Sequence, residues 1–326
     1  MKRSLVLAAL AGLAITIGLI AYNGAPTIGQ SLLAVGWGIL ALMAFHLLPM
    51  LCSALAWQRL VKSHWHGSLW AFLRARWIRE HVADLLPVAQ VGGEVVGARM
   101  LTLDGLDPAL ALASVIVDLT LETTTQIVFT LMGIGVLAAQ VHTQGLLVWV
   151  TLGAGIGAAL VGAFFWVQRQ GLFAWLESQL KSITEKGGIW RSLGRLDGLH
   201  DSIQSLYAYR GQLATASTFH LACWLLDAGE TWLALYFMGH TVSVMDALLL
   251  ESLGQAIRGA AFIIPGQLGV QEGGYMVLGE AIGLAPGVGL TLSLLKRVRS
   301  LLIGLPALAC WQFIESKTLL AQHRDS

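Results

Sequence analysis

The side chains able to carry chemistry are ionisable groups set inside apolar sequence. One run supplies Glu80, Asp84, Glu94 and Arg99, and the stretches after it supply Asp118 and Glu122, then Asp227 and Glu230. A later run supplies Glu251, Arg258 and Glu272, followed by Lys296, Arg297 and Arg299. Asp118 and Glu122 lie four apart and Asp227 and Glu230 three apart, spacings that put each pair on one helical face. Such carboxylates could in principle serve as acid and base, yet no His or Ser nucleophile accompanies them in a recognisable order, and no catalytic residue is assigned. Binding is the chemistry read here. Cationic groups facing a cavity suit a phosphate or other anionic headgroup; a mixed ring suits a neutral polar headgroup or proton coupling. The competing use is structural, with the pairs locking helices together.

Composition says what must position these groups. The 326 residues are 56% apolar and only 12% charged, with a mean hydropathy of +0.70. Soluble domains carry about one quarter charged residues, so a free cytosolic enzyme, a disordered regulator and a disulfide-stapled secreted module are excluded as leading readings. Ionisable groups facing lipid cost about 2.5 to 3.5 kcal/mol on insertion scales, so those named above are expected to line a cavity or to pair. A net charge of +1 with scattered basic residues argues against nucleic acid as a partner. Cys52, Cys223 and Cys310 sit in apolar runs and read as packing. His64-Trp65-His66 has metal-like spacing without an acidic or Cys companion and reads as part of an interfacial aromatic belt; no metal or cofactor is expected.

Apolar runs of about 20 residues, enough to cross a bilayer, cover Ser4 to Tyr22, Ser31 to Trp57, Pro108 to Ala139, Gly145 to Val167, Gln212 to Phe237 and Gly289 to Phe313. The first reads as a retained span rather than a cleaved leader. Two stretches between them, 69–106 and 245–284, are broken by Pro, Gly and charge. Lys and Arg mark cytoplasmic loops: Lys2 and Arg3, the group from Arg59 to Arg79, and the polar segment 168–211 belong inside, which places both termini in the cytoplasm. That segment, with Leu172, Trp175, Leu176, Leu180 and Ile183 and then Leu196, Leu199, Ile203 and Leu206 at helical spacing, reads as an amphipathic connector on the cytoplasmic face.

The two broken stretches match without a gap at an offset of 178 residues. Leu85-Leu86-Pro87 falls on Ile263-Ile264-Pro265, Glu94 on Glu272, and Gly105-Leu106-Asp107-Pro108 on Gly283-Leu284-Ala285-Pro286. The halves 31–139 and 212–313 enter from opposite sides, so the repeat is expected to be inverted, as in transporters whose central site lies between two similar gates. Pro87, Gly92 and Gly93 in one copy and Pro265, Gly266, Gly269 and Gly273 in the other are the expected helix breaks and hinges. Irregular backbone at that depth needs a protein or wet-cavity lining, which makes each copy a wall of one cavity. The expected architecture is one all-α polytopic domain of about six spans plus two re-entrant segments.

The runs LLPVAQVGGEVVGARMLTLDGLDPALALASVIVDLTLE and GAAFIIPGQLGVQEGGYMVLGEAIGL resemble the two hallmark segments of the flippase-like membrane domain of lysylphosphatidylglycerol synthases. The resemblance covers about Leu32 to Phe313, and its details are most similar to the stand-alone members encoded with bacterial hopanoid-biosynthesis enzymes. It implies a bacterial inner-membrane translocator of a lipid such as a hopanoid or phospholipid. By resemblance Arg79, Pro87, Gly93, Glu94, Arg99, Arg258, Pro265, Gly266, Gly269, Glu272 and Gly273 match the family pattern. Together with Asp118, Glu122, Lys296, Arg297 and Arg299, the charged members are the expected translocation residues. The aminoacyl transferase domain of the full synthases does not appear before Ser326, so lipid aminoacylation is not expected. Two other classes remain open: a membrane-embedded enzyme acting on an isoprenoid lipid, and a scaffold that gathers lipid-biosynthesis enzymes on the connector.

Overall fold

The computed structural model describes residues 14–22, 24–86, 89–140, 198–261 and 264–324. Pro87, the expected span Gly145 to Val167 and most of the connector lie outside them. Among the described residues the regular structure is entirely helical. Residues 14–22 are helical and are followed by α1 (Ala25–Val35) and α2 (Gly38–Val61). The span expected from Ser31 to Trp57 is therefore displaced. Gly36, at φ 51°, ends α1 by donating its amide to the Leu33 carbonyl, and the long apolar helix α2 starts only after this turn. A left-handed glycine is what such a stop requires.

The chain continues through α3 (Leu69–Leu85), α4 (Ala89–Leu103), α5 (Pro108–Gln140), α6 (Leu199–Ala208) and α7 (Arg210–Phe237). Then come α8 (Val244–Ala260), a 3-10 turn at Pro265–Gln267, α9 (Val270–Ala281) and α10 (Pro286–Arg324). By length and composition α2 and α5 could cross a membrane. Helices α7 and α10 have the length, 28 and 39 residues, but dilute their apolar sequence with acids and bases. Ser68 caps α3 by accepting from the Ala71 amide, and Ser243 and Asp246 form a reciprocal capping box on α8. Along α5, the hydroxyls of Thr120, Thr123, Thr124 and Thr130 donate to carbonyls one turn back, which hides them in an apolar helix.

The two broken stretches carry the same order of elements: helix, break, short helix, tight turn, long helix. Their tight turns agree bond for bond. After α4, Gly105 at φ 98° donates to Thr102 and Leu106 donates to Leu101. After α9, Gly283 at φ 83° donates to Glu280 and Leu284 donates to Gly279. Pro108 and Pro286 then open the long helices, where a missing N–H costs nothing.

The breaks themselves differ. In the second copy the backbone unwinds, with left-handed Gly266, Gln267 and Gly269. In the first, helix resumes at Ala89, so Gly92 and Gly93 are helical and not the expected turn. Gly93 serves close packing: a Cβ on it would stand 2.4 Å from the Arg79 carbonyl oxygen, so α4 lies directly against the α3 backbone. Gly273 is likewise inside α9 and not a hinge.

Three apolar cores result among the described residues, the smallest of them Phe129, Trp224, Ala228 and Leu248 between α5, α7 and α8. Of the larger two, one joins Trp57, Phe72, Ile78, Met100, Leu101 and Val117 from α2 to α5, and buries Leu199, Ile203 and Leu206 of the amphipathic α6 beneath it. The other joins Leu42, Leu235, Leu250, Tyr275 and Leu292 from α2 and α7 to α10. The surface is inverted relative to a water-soluble protein. Trp37, Leu47, Leu131, Leu302 and Leu305 are exposed, while Asp118, Glu251 and Glu272 are fully buried. Hydrocarbon, not water, is the solvent that such a surface matches.

Candidate functional site

Arg76, Arg79 and Glu80 lie on one face of α3 by their i, i+3 and i+4 spacing. Opposite them α5 presents Asp118 and Glu122, and α4 presents Glu94. Arg79 reaches Glu94 at 2.5 Å, Asp118 at 2.6 Å and Glu122 at 3.6 Å, and its guanidinium sits 5.3 Å over the Trp57 ring. Arg76 grips Glu122 through two parallel bonds of 2.9 and 2.6 Å, the bidentate geometry in which guanidinium is strongest. The second oxygen of Asp118 faces His220 at 2.9 Å.

Glu80 connects this group to a second one, lying 3.7 Å from Arg76 and 3.8 Å from His46. His46 contacts Glu230 at 2.9 Å, and Arg299 donates to Glu230 from α10 and lies 3.0 Å from His46. One continuous polar chain thus runs through α4, α3, α5, α7, α2 and α10. Among the described residues five carboxylates, Glu80, Glu94, Asp118, Glu122 and Glu230, face three guanidiniums in it, and the imidazoles of His46 and His220 contact Glu230 and Asp118.

Around the second break the arrangement is more local. Glu251 accepts from Lys296 at 2.5 Å, Thr231 at 2.5 Å, Gln255 at 2.9 Å and Tyr275 at 3.0 Å. Glu272 accepts from the Gly269 amide at 2.7 Å, capping α9, and from Arg297. Arg297 also donates to the Gly266 carbonyl at 2.8 Å, so one guanidinium ties the unwound turn to the helix after it. The breaks meet at Arg258 and Asp84, 3.5 Å apart.

Among the described residues the expected translocation residues fall into separate ion-paired groups. Arg79, Glu94, Asp118 and Glu122 come together, Glu272 joins Arg297, and Lys296 and Arg299 each hold a different acid. Arg99 is directed elsewhere and pairs with Glu315 near the end of α10 at 3.2 Å. Exposure is graded. Asp118, Glu251 and Glu272 are sealed, whereas Glu80, Asp84, Arg258 and Arg297 keep 29%, 28%, 25% and 24% of their side chains accessible, and Asp84, Arg258 and Arg297 flank the two breaks.

Sequence reading missed His46, His220, Thr231, Gln255 and Tyr275. The signal for the histidines was available: an imidazole inside an apolar helix needs a polar partner. His46, Asp227 and Glu230 also present ligand atoms within 4.8 Å of one another, a metal-like spacing. Arg299 bonds Glu230 and touches His46, so a fixed cation already serves that group.

Residues 9–307 match the description of the lysylphosphatidylglycerol synthase TM region. The chain belongs to that family. Neither a curated protein nor a solved structure matches it. The family assignment covers the whole polar chain from His46 to Arg299 and both broken stretches, and leaves Glu315, the partner of Arg99, outside. It makes this an all-α membrane domain with a lipid-related role, in agreement with the inverted surface.

Proposed function

We propose that the protein moves an amphipathic lipid, a hopanoid or a phospholipid, between the leaflets of a bacterial inner membrane, with both termini cytoplasmic. The observation that carries this reading is the meeting of the two breaks at Arg258 and Asp84, where charges of both signs stay partly accessible. A zwitterionic or anionic headgroup can exchange with such a pair at lower cost than with the sealed pairs, because an ion pair that reaches solvent is worth only about 0 to 1 kcal/mol. The sealed pairs behind it are too costly to open and serve as the rigid frame. The matched order of elements supports an internal duplication, and the loop charges support its inversion across the membrane. On this reading the two halves rock about the Arg258 and Asp84 contact, the headgroup passes the breaks, and the acyl or polycyclic tail stays in lipid. No bond is made or broken.

Purified protein in liposomes containing a fluorescent lipid tests this. Inward and outward movement is read by bleaching the outer leaflet. The wild type should equilibrate the leaflets, and Arg258→Gln with Asp84→Asn should slow it by about an order of magnitude, the scale of one lost charge contact. Full activity in that double variant and in Glu272→Gln would refute the mechanism.

A further inference from the structure

Among the described residues one non-glycine residue stands in the left-handed region, Gln267 at φ 46° in the turn of the second break. Glycine takes such a backbone without strain, as Gly266 and Gly269 beside it do, whereas a glutamine crowds its Cβ against the chain. The residue is only 6% exposed, and among the described residues its side-chain amide has no hydrogen-bond partner. Five other glutamines at buried or half-buried positions, Gln58, Gln126, Gln212, Gln255 and Gln271, each bond a carbonyl, a carboxylate or a hydroxyl. Gln267 thus weakens the fold twice, through its backbone and through a buried amide, and no internal bond offsets either loss. A residue that breaks local rules without a structural return marks a functional position.

The turn Pro265–Gln267 packs on α3, the helix that carries Asp84, and Gly266, next to Gln267, accepts from Arg297 Nη1 at 2.8 Å. Nη2 of the same guanidinium is buried without an acceptor, and the other arginine nitrogens in that condition, on Arg59, Arg74, Arg76, Arg258 and Arg299, are all Nε. An unsatisfied carboxamide and an unsatisfied terminal guanidinium nitrogen therefore belong to one turn. A carboxamide donates and accepts without charge, and its complement is a hydroxyl, which accepts and donates in return. We infer that Gln267 is a specificity-determining residue of the lipid path, its amide hydrogen-bonding a hydroxyl of the headgroup at the second break. This role rests on the reading of the breaks as that path. A site built around such a bond rejects an analogue without the hydroxyl, because the amide is then left buried and unpaired.

Phosphatidylglycerol and phosphatidylethanol with the same acyl chains carry equal charge and differ in their headgroup hydroxyls, so the pair probes hydroxyl recognition alone. Native mass spectrometry of the full chain in neutral detergent, with both lipids at equal concentration, should show the hydroxylated one retained about tenfold better, the scale of one hydrogen bond. Gln267→Met keeps the side-chain length and the backbone strain and deletes the amide; it should retain the two lipids equally, and so should Gln267→Gly. Gln267→Gly should melt no lower than the wild type, because the left-handed turn then carries no Cβ. A wild type without preference, or a preference that survives in Gln267→Met, would overturn the inference, and a lowered melting temperature in Gln267→Gly would do so by making the side chain structural. The same lipids in the liposome assay separate this role from transport itself. Retention that depends on Gln267 with movement of neither lipid would refute transport and uphold the contact; movement with an unchanged preference in Gln267→Met would uphold transport and overturn the contact.

Discussion

Arg79 joins Glu94 on α4 to Asp118 on α5. The glycines of α4 serve this contact. A Cβ at Gly97 would come within 3.0 Å of the Arg79 side chain, and one at Gly93 would strike its carbonyl. The short helix is shaped to lie on an arginine.

Arg79→Gln should therefore destabilise the protein by about 3 to 5 kcal/mol, because it strands buried acids. Arg79→Lys should fall between it and the wild type, since an ammonium cannot reproduce the fork that meets several carboxylates. Thermal unfolding in detergent reads both.

Lys296→Met should cost about 3 to 5 kcal/mol by leaving Glu251 buried and uncompensated. Adding Glu251→Gln should recover most of that loss, because a neutral amide oxygen can still accept from Thr231 and Tyr275. A double-mutant cycle on melting temperature measures the coupling.

Three glycines separate close approach from flexibility. Gly93→Ala and Gly289→Ala should each cost about 1 to 3 kcal/mol, since the new Cβ would stand 2.4 Å from the Arg79 carbonyl and 2.1 Å from the Tyr275 carbonyl. Gly273→Ala, with nothing within 4 Å of the new atom, should instead gain about 0.5 to 1 kcal/mol in helix stability. A destabilised Gly273→Ala protein would contradict its helical placement.

Arg258 and Asp84 should behave in the opposite way to Lys296. Neutralising either should change stability by less than about 1 kcal/mol, as for partly exposed pairs, yet slow lipid movement. Exchanging the charges, Arg258→Asp with Asp84→Arg, should restore part of the rate in the liposome assay.

The sequence showed the recurrence of Gly105-Leu106-Asp107-Pro108 as Gly283-Leu284-Ala285-Pro286, and the two runs make the same turn because its requirements are local: a left-handed glycine and a helix-opening proline. The inverted polarity was legible from composition. The partners of the charges were not. Nothing near Arg79 in sequence says that it reaches Asp118, or that Arg99, in the same motif, points away to Glu315. Pairing depends on which helix faces pack together, and periodicity does not encode that. Gly92 and Gly93 misled for a related reason, since a glycine that permits a turn and one that permits contact look alike until the neighbouring backbone is in place.

Helix α9 has 12 residues, which at about 1.5 Å per residue rises roughly 18 Å, well short of the roughly 30 Å hydrocarbon layer. A rod of that length cannot keep both ends in water. The amide of its N-cap, Gly269, is buried, and the Glu272 carboxylate, bonded to that N–H and held by Arg297, takes the place a water would fill at an exposed helix start.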